Sequence, residues 1–358
     1  MSWVRQPDLL LATSALVAIP SVSRNEATMA ALVEDALRGC EWLKVERVGD
    51  NVVARTNLGH AQRVVLAGHL DTVPPDRNEQ PVVDGDTLWG LGASDMKGGL
   101  AVMLDLAVTT PEPSVDVTWC FYAREEIARS DSGLLELWRS RPDLLEADAA
   151  ILGEPTDGLV EAGCQGTMRL EIGLVGVRAH TARPFMGRNA IHRLGAVLAR
   201  VAGWEGRRVV LDGCTYVEQL QAVAVQGGVA PNVVPDAAGT TLNFRYAPDR
   251  HAADAESFVR ALLAGTVDET QGDSVEVVDG AEGAPPSLTH PLLAGLVAST
   301  GAPARAKVGW TDVASFWEHG VPAANFGPGD PQLAHHPQER VTRAQLERTR
   351  AALAALIG

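Results

Sequence analysis

Two spacings of apolar residues alternate along this chain, and the elements they predict fall into two kinds of domain. Positions 9–19 fit an amphipathic helix ended by Pro20, and 26–38 carries a second helical pattern. Segments 51–56 and 63–67 read as strands, and the second, RVVLA, is apolar throughout, as in a sheet buried on both faces. A helix over 98–108 follows a Gly-rich turn; a strand at 115–122, a helix at 132–139 and a short strand at 149–152 complete the series. Strands alternating with helices predict an open α/β sheet covered on both sides.

Near Gly166 the pattern changes. Segments 167–175, 217–225 and 240–246 alternate as half-exposed antiparallel strands do, with helical patterns at 190–201 and 253–263 between and after them. Two helices on one face of an antiparallel sheet make a small α+β sandwich, which the Gly- and Pro-bearing stretch 280–286 ends. Helix and strand signals resume from 290. The predicted architecture is therefore an open, largely parallel α/β domain, residues 1–165 and 279–358, interrupted by an inserted α+β domain, residues 166–278.

Composition narrows the class. The 358 residues are 46% hydrophobic and 21% charged, as in a soluble globular protein, and the length suits two domains. A net charge of −15, with no basic stripe, argues against a nucleic-acid partner. Of the 30 basic residues only Lys44, Lys97 and Lys307 are lysines, which sets off Lys97 inside a Gly-rich motif. Cys40, Cys120, Cys164 and Cys214 are widely spaced with no CxxC pair, and read as reduced thiols of a cytoplasmic protein. The run 9–19 resembles the apolar core of a signal peptide, but Asp8 precedes it and no cleavage site follows. No apolar stretch reaches the ~20 residues that span a bilayer, so no membrane partner is expected.

Five acidic or histidine-bearing segments stand at loop positions: GHLDTVP at 68–74, GASDMKGG at 92–99, the pair Glu125-Glu126, GEPT at 153–156 and AHHPQE at 334–339. Several follow predicted strands, and the carboxyl ends of strands are where open α/β sheets bind ligands. His69 and Asp71 face one side if their strand continues, so one can bind a metal while the other supports the imidazole. Each segment alone has a plainer explanation: a hydrogen-bonded structural histidine, a solvated glutamate pair, an aspartate capping the helix after Gly98. Together, in one chain and one order, mixed histidine and carboxylate donors suit zinc.

The segments GHLDTVP, WGLGASDMKGG, REE, GEPT and AHHPQE resemble, in order and spacing, those of the zinc aminoacylase and carboxypeptidase-G superfamily. The resemblance covers essentially the whole chain. It implies two zinc ions per subunit, with cobalt as a substitute: Asp95 bridging both, His69 and Glu154 completing one, and Glu126 and His335 the other. It further implies Glu125 as general base, Asp71 orienting His69, and a cis peptide after Asp95. His336 is a rival to His335, which the H-x-P-x-E register favours. Two departures stand out: Gln338 where relatives commonly have Asp, and Leu91 in place of a frequent Arg.

In the inserted domain, GVRAHTARP at 176–184 resembles the family's second histidine motif, which implies that His180 serves the active site of the other subunit of a homodimer. GGVAPNVVP at 227–235 and NFRY at 243–246 resemble segments that hold substrate carboxylates, implicating Asn232 and Arg245, with Arg183 as a further cation. GCQGT, NFRYAPDR and VGWTDVASF resemble a bacterial branch acting on succinyl-diaminopimelate, so the implied substrate is a small N-acyl amino acid. Acetylornithine deacetylation, or a broader aminoacylase or dipeptidase activity, is the alternative within enzymes. A catalytically silent metal-binding scaffold is the alternative outside them.

Overall fold

The computed structural model describes residues 8–358, and the chain divides into two compact units. Unit 1 comprises residues 1–163, 286–305 and 312–358, of which 8 onwards are described; unit 2 comprises 164–285 and 306–311.

Unit 1 is built on an eight-stranded sheet. Its order is Lys44–Val48, Asn51–Arg55, Asp116–Tyr122, Arg63–His69, Ala149–Leu152, Ala323–Asn325, Glu161–Ala162, Arg305–Ala306. The four central strands, from Asp116–Tyr122 to Ala323–Asn325, run parallel, while Lys44–Val48, Asn51–Arg55 and Glu161–Ala162 pair antiparallel. All seven residues of Asp116–Tyr122 and all four of Ala149–Leu152 are buried, because helices lie on both faces. Val64, Leu66, Trp119, Phe121 and Ile151 enter one core with helices Leu9–Val17, Ala27–Arg38, Lys97–Thr109, Pro291–Thr300 and Arg343–Ile357. Their neighbours Val65, Ala67, Cys120 and Leu152 are buried too, on the side where helices Gly133–Ser140 and Val313–Glu318 pack. The parallel centre puts the ends of Arg63–His69, Asp116–Tyr122 and Ala149–Leu152 on one edge, and the loops carrying acidic residues leave from there.

Helix Leu9–Val17 is capped by Asp8, whose carboxylate accepts from the N–H of Leu10 and Leu11. It is more deeply packed than an amphipathic surface helix, with six of nine residues buried. A three-stranded antiparallel sheet, Arg340–Thr342, Thr87–Trp89, Val82–Asp84, was not expected from the sequence; its strands are too short to show a period. Among the described residues no helix is long and apolar enough to cross a membrane, and the four buried cysteines form no disulfide.

Unit 2 carries a four-stranded antiparallel sheet ordered Gln219–Gly227, Ala237–Tyr246, Gly166–Val175, Ser274–Ala281. Strict alternation in Gly166–Val175 sends Met168, Leu170, Ile172 and Leu174 into a core with Leu194, Val197 and Val201 of helix Ala190–Ala202 and Val259 of helix Ala252–Leu262. The strand expected at 217–225 is two: Cys214–Val217 forms a ribbon with Arg208–Leu211, and Gln219–Gly227 joins the sheet. Glu218 causes the break. Its buried carboxylate binds Arg207, Arg250 and the N–H of Ala247, which turns the chain between the two strands. The edge strand Ser274–Ala281 runs past 278, and the unit extends to Pro285.

Candidate metal centre and active site

All five segments singled out in the sequence lie in unit 1. His69 ends its strand, and its ring is 1% exposed. Its Nδ1 lies 3.0 Å from the backbone oxygen of Asp71 and 3.6 Å from that residue's Oδ1; its Nε2 lies 3.1 Å from Asp95 Oδ1. The closest support of the imidazole is thus the main-chain carbonyl of Asp71, because the strand stops at His69 and the chain turns. The Asp71 carboxylate, near the ring, has other partners as well. It accepts from the Ser23 hydroxyl at 2.7 Å and from the N–H groups of Glu125 and Glu126 at 3.0 and 3.1 Å. Arg124, just before them, adopts φ +61°, and its N–H is held by Glu26 at 3.1 Å. Two buried carboxylates therefore fix three successive amides and with them the direction of the Glu125-Glu126 pair.

Asp95 is not a helix cap: helix Lys97–Thr109 begins behind Met96, with no side-chain cap. Its carboxylate instead lies between two histidines, His69 at 3.1 Å and His335 Nε2 at 3.5 Å. The peptide from Asp95 to Met96 is cis. Gly92 adopts φ +78°, and a Cβ there would approach Thr72 at 2.9 Å, so only glycine suits the turn. His335 Nε2 also lies 2.9 Å from Glu126 Oε1, whereas His336 accepts from the N–H of Gln338 and takes no part. Ligand-type atoms of His69, Asp95 and Glu126 lie within 4.8 Å of one another. Glu154, 6% exposed, is close enough for its charge to act on His69.

The electrostatics ask for a cation. Burial opposes charge on His69, yet the hydrogen bond to Asp95 and the charges of Glu154 and Glu125 raise its pKa well above the usual value. The Glu126 hydrogen bond raises His335 to about 9. Burial, aided by Glu154, Glu126 and Asp312, pushes Glu125 well above the carboxylate range. Protons thus gather where carboxylates converge, and a divalent ion would displace them. The imidazole and carboxylate donors fit a borderline ion such as zinc.

Three residues of this region escaped the sequence reading. Glu339, inside the quoted AHHPQE segment, accepts from three backbone N–H groups of the Asp95 loop. Glu26 is fully buried behind Arg124, and Asp312, also buried, holds Ser315 at 2.6 Å near the His69 side of the site. Lys97 is buried, its Nζ donating to the Ile19 oxygen at 2.7 Å, and burial lowers its pKa to about 8.

The remaining candidates belong to unit 2. His180 is exposed, and its Nδ1 accepts from the N–H of Ala182. Its segment pairs with Val233, and the N–H of Thr181 donates to the Asn232 oxygen, so the two motifs lie side by side. Arg183 and Asn232 are exposed. Arg245 lies in Ala237–Tyr246, half-buried, its side chain with no hydrogen bond or ion pair among the described residues, and burial lowers its pKa. The strand-end salt bridge that would make it structural is missing there.

Histidines and carboxylates converging at the carboxyl edge of a parallel sheet, with a buried glutamate beside them, define a metal-dependent hydrolase of amide bonds. Residues 65–358 match Peptidase family M20/M25/M40, and the chain belongs to that family. It is 52% identical over 330 residues, 92% of each chain, to a protein of Mycobacterium tuberculosis provisionally named a succinyl-diaminopimelate desuccinylase. It is 44% identical over 345 residues, 95% of this chain and 93% of the other, to the succinyl-diaminopimelate desuccinylase of Corynebacterium glutamicum. The fold matches a tripeptidase of Staphylococcus aureus with a TM-score of 0.79 at 20% identity over 98% and 97% of the two chains. It also matches a dinuclear metal-binding peptidase of Bacillus subtilis at 0.72 and 17% identity, over 97% and 96%.

Proposed function

We propose that the protein is a cytoplasmic, homodimeric two-zinc amidohydrolase that cleaves N-succinyl-LL-2,6-diaminopimelate to succinate and LL-diaminopimelate. The observation that carries the substrate is the identity of 44% over 95% of the chain to a relative named for that reaction. The chemistry is supported by the convergence of His69, Asp95, Glu126 and His335 beside Glu125. In this reading His69, Asp95, Glu126, Glu154 and His335 would hold the zinc ions, with Asp95 shared between them. The dinuclear peptidase from Bacillus subtilis, similar in fold, supports the count. Cobalt would substitute.

Bound there, zinc would supply Lewis acidity toward the amide carbonyl and make water a better acid. The chain does the rest. Glu125, whose burial and acidic neighbours give it a high proton affinity, takes the proton from water and passes it to the leaving amine. Asp71 holds the amides of Glu125 and Glu126, so that a base and a ligand on adjacent residues keep distinct directions. His180, from the other subunit, donates to the developing oxyanion, and Arg245, Arg183 and Asn232 bind the carboxylates of the substrate.

The test compares two substrates on the zinc-loaded protein. Release of primary amine from succinyl-diaminopimelate is expected to exceed that from acetylornithine by at least ~10-fold in kcat/KM, the discrimination one lost charged contact can give. Preference for acetylornithine would overturn the assignment.

A further inference from the structure

We propose that Glu339 is a positioning residue that sets the geometry of the metal centre by holding the loop of Asp95 and the segment of His335 in one hydrogen-bonded unit. The inference rests on the reading of Asp95 and His335 as metal ligands, and concerns a residue to which that reading gives no role.

The Glu339 side chain accepts three backbone hydrogen bonds. Its Oε1 accepts from the N–H of Ser94 at 2.9 Å and of Asp95 at 2.8 Å, and its Oε2 from the N–H of Gly92 at 2.9 Å. The residue is 1% exposed. Its backbone belongs to the same unit: the Gly90 N–H donates to the Glu339 oxygen at 3.1 Å, and the Ser94 hydroxyl donates to the Arg340 oxygen at 2.7 Å. Five hydrogen bonds thus tie residues 90–95 to residues 339–340, about 245 positions away in sequence. Both carboxylate oxygens being engaged by amides, Glu339 is directed at the loop and away from a ligand role.

On the other side, His335 stands four residues before Glu339. Its backbone has φ +61°, its ring is half exposed, and the only turn between them is closed by the Glu339 N–H on the His336 oxygen at 2.9 Å. The ring itself meets Glu126 at 2.9 Å, and the N–H of His336 is held by the Leu333 oxygen at 3.1 Å. Glu339 is therefore the point at which the position of Asp95, deep in the site, is passed to His335 at its rim. The choice of glutamate follows from the donors. Three N–H groups converge, and a carboxylate offers an acceptor to all of them with charge-assisted strength. A glutamine of the same volume offers one acceptor oxygen, and its NH2 meets an amide that needs an acceptor.

The full-length protein is tested as Glu339→Gln, with Asp95→Asn as the reference, using cobalt and zinc as probes. Metal affinity is read by chelator competition, and coordination geometry by the visible absorption of the cobalt-loaded protein. Glu339→Gln is expected to weaken binding ~10–100-fold, the scale seen when partners of metal ligands are removed, and to change the cobalt spectrum. With metal saturating, KM should stay near that of the parent while kcat falls. If the amide variant does not fold, Glu339→Asp, which keeps the charge but is one methylene too short, carries the same expectation. A folded variant with parental affinity and cobalt spectrum, while Asp95→Asn loses metal, would overturn the role of Glu339 alone. Parental metal binding by Asp95→Asn would overturn it together with the ligand assignment.

Discussion

The candidate residues of the two units are held in opposite ways. In unit 1 two of the candidate loops are fixed from behind: Asp71 and Glu26 hold the amides of 124–126, and Glu339 those of Gly92, Ser94 and Asp95. In unit 2, His180, Arg183 and Asn232 are exposed, and Arg245 has its charge uncommitted among the described residues. The difference matches the guests each set would receive. A metal ion stays through many turnovers and rewards a site built before it arrives. A substrate comes and goes, and groups that bind it are left available until it does.

The largest effect that would sharpen this contrast comes from the base. Glu125→Ala should retain about two zinc ions per chain and lose ~10²–10⁴-fold in kcat. Zinc analysis and turnover on one preparation would check it; loss of zinc would exchange the roles of Glu125 and Glu126. His180→Ala should cut kcat ~10²–10³-fold with zinc content unchanged. Mixed with Glu125→Ala, it should recover activity in heterodimers that draw one residue from each chain, and no recovery despite proven subunit exchange would break the assignment across subunits. Arg245→Lys keeps the charge but loses the planar fork, so kcat/KM should fall about tenfold, equivalent to about 1.4 kcal/mol. An unchanged kcat/KM would remove Arg245 from the site.

The smallest effect concerns stability. Asp273 is held by Arg193 and by the N–H groups of Val175 and Asp268. Burial opposes its charge, but Arg193 and these amides prevail and lower its pKa from 3.8 to about 2. Its carboxylate therefore adds stability that is complete above about pH 4 and lost as pH falls through 2. Asp273→Asn should be less stable than the parent in urea at pH 7, with the gap narrowing between pH 4 and pH 2. A gap independent of pH would show that the ion pair contributes nothing through its charge.

What the sequence made legible is what local pattern records. The strands around RVVLA, the change of period near Gly166 and the five segments after strands all depend on neighbours in sequence. The choice of His335 over His336 came from a motif register; in the structure His335 reaches Glu126 at 2.9 Å, while His336 turns to Gln338. Glu339 and Glu26 were not legible because they hold backbone amides, those of the candidate loops lying 98 to 247 residues away, and an amide leaves no mark on residue identity. The strands Arg208–Leu211 and Ser274–Ala281 were missed for another reason: exposure on both faces of an edge or ribbon strand blurs the period of two. The alternation that would align Asp71 with His69 does not apply, since the strand ends at His69, two residues before it.

Strand order also has a consequence for biosynthesis. Ala323–Asn325 is inserted between Ala149–Leu152 and Glu161–Ala162, not added at an edge. A ribosome that has released residues 1–311 has delivered all of unit 2, but the sheet of unit 1 still has a gap near its centre, and His335 has not been made. The nascent chain therefore holds an open, apolar slot in this sheet until residues 323–325 emerge.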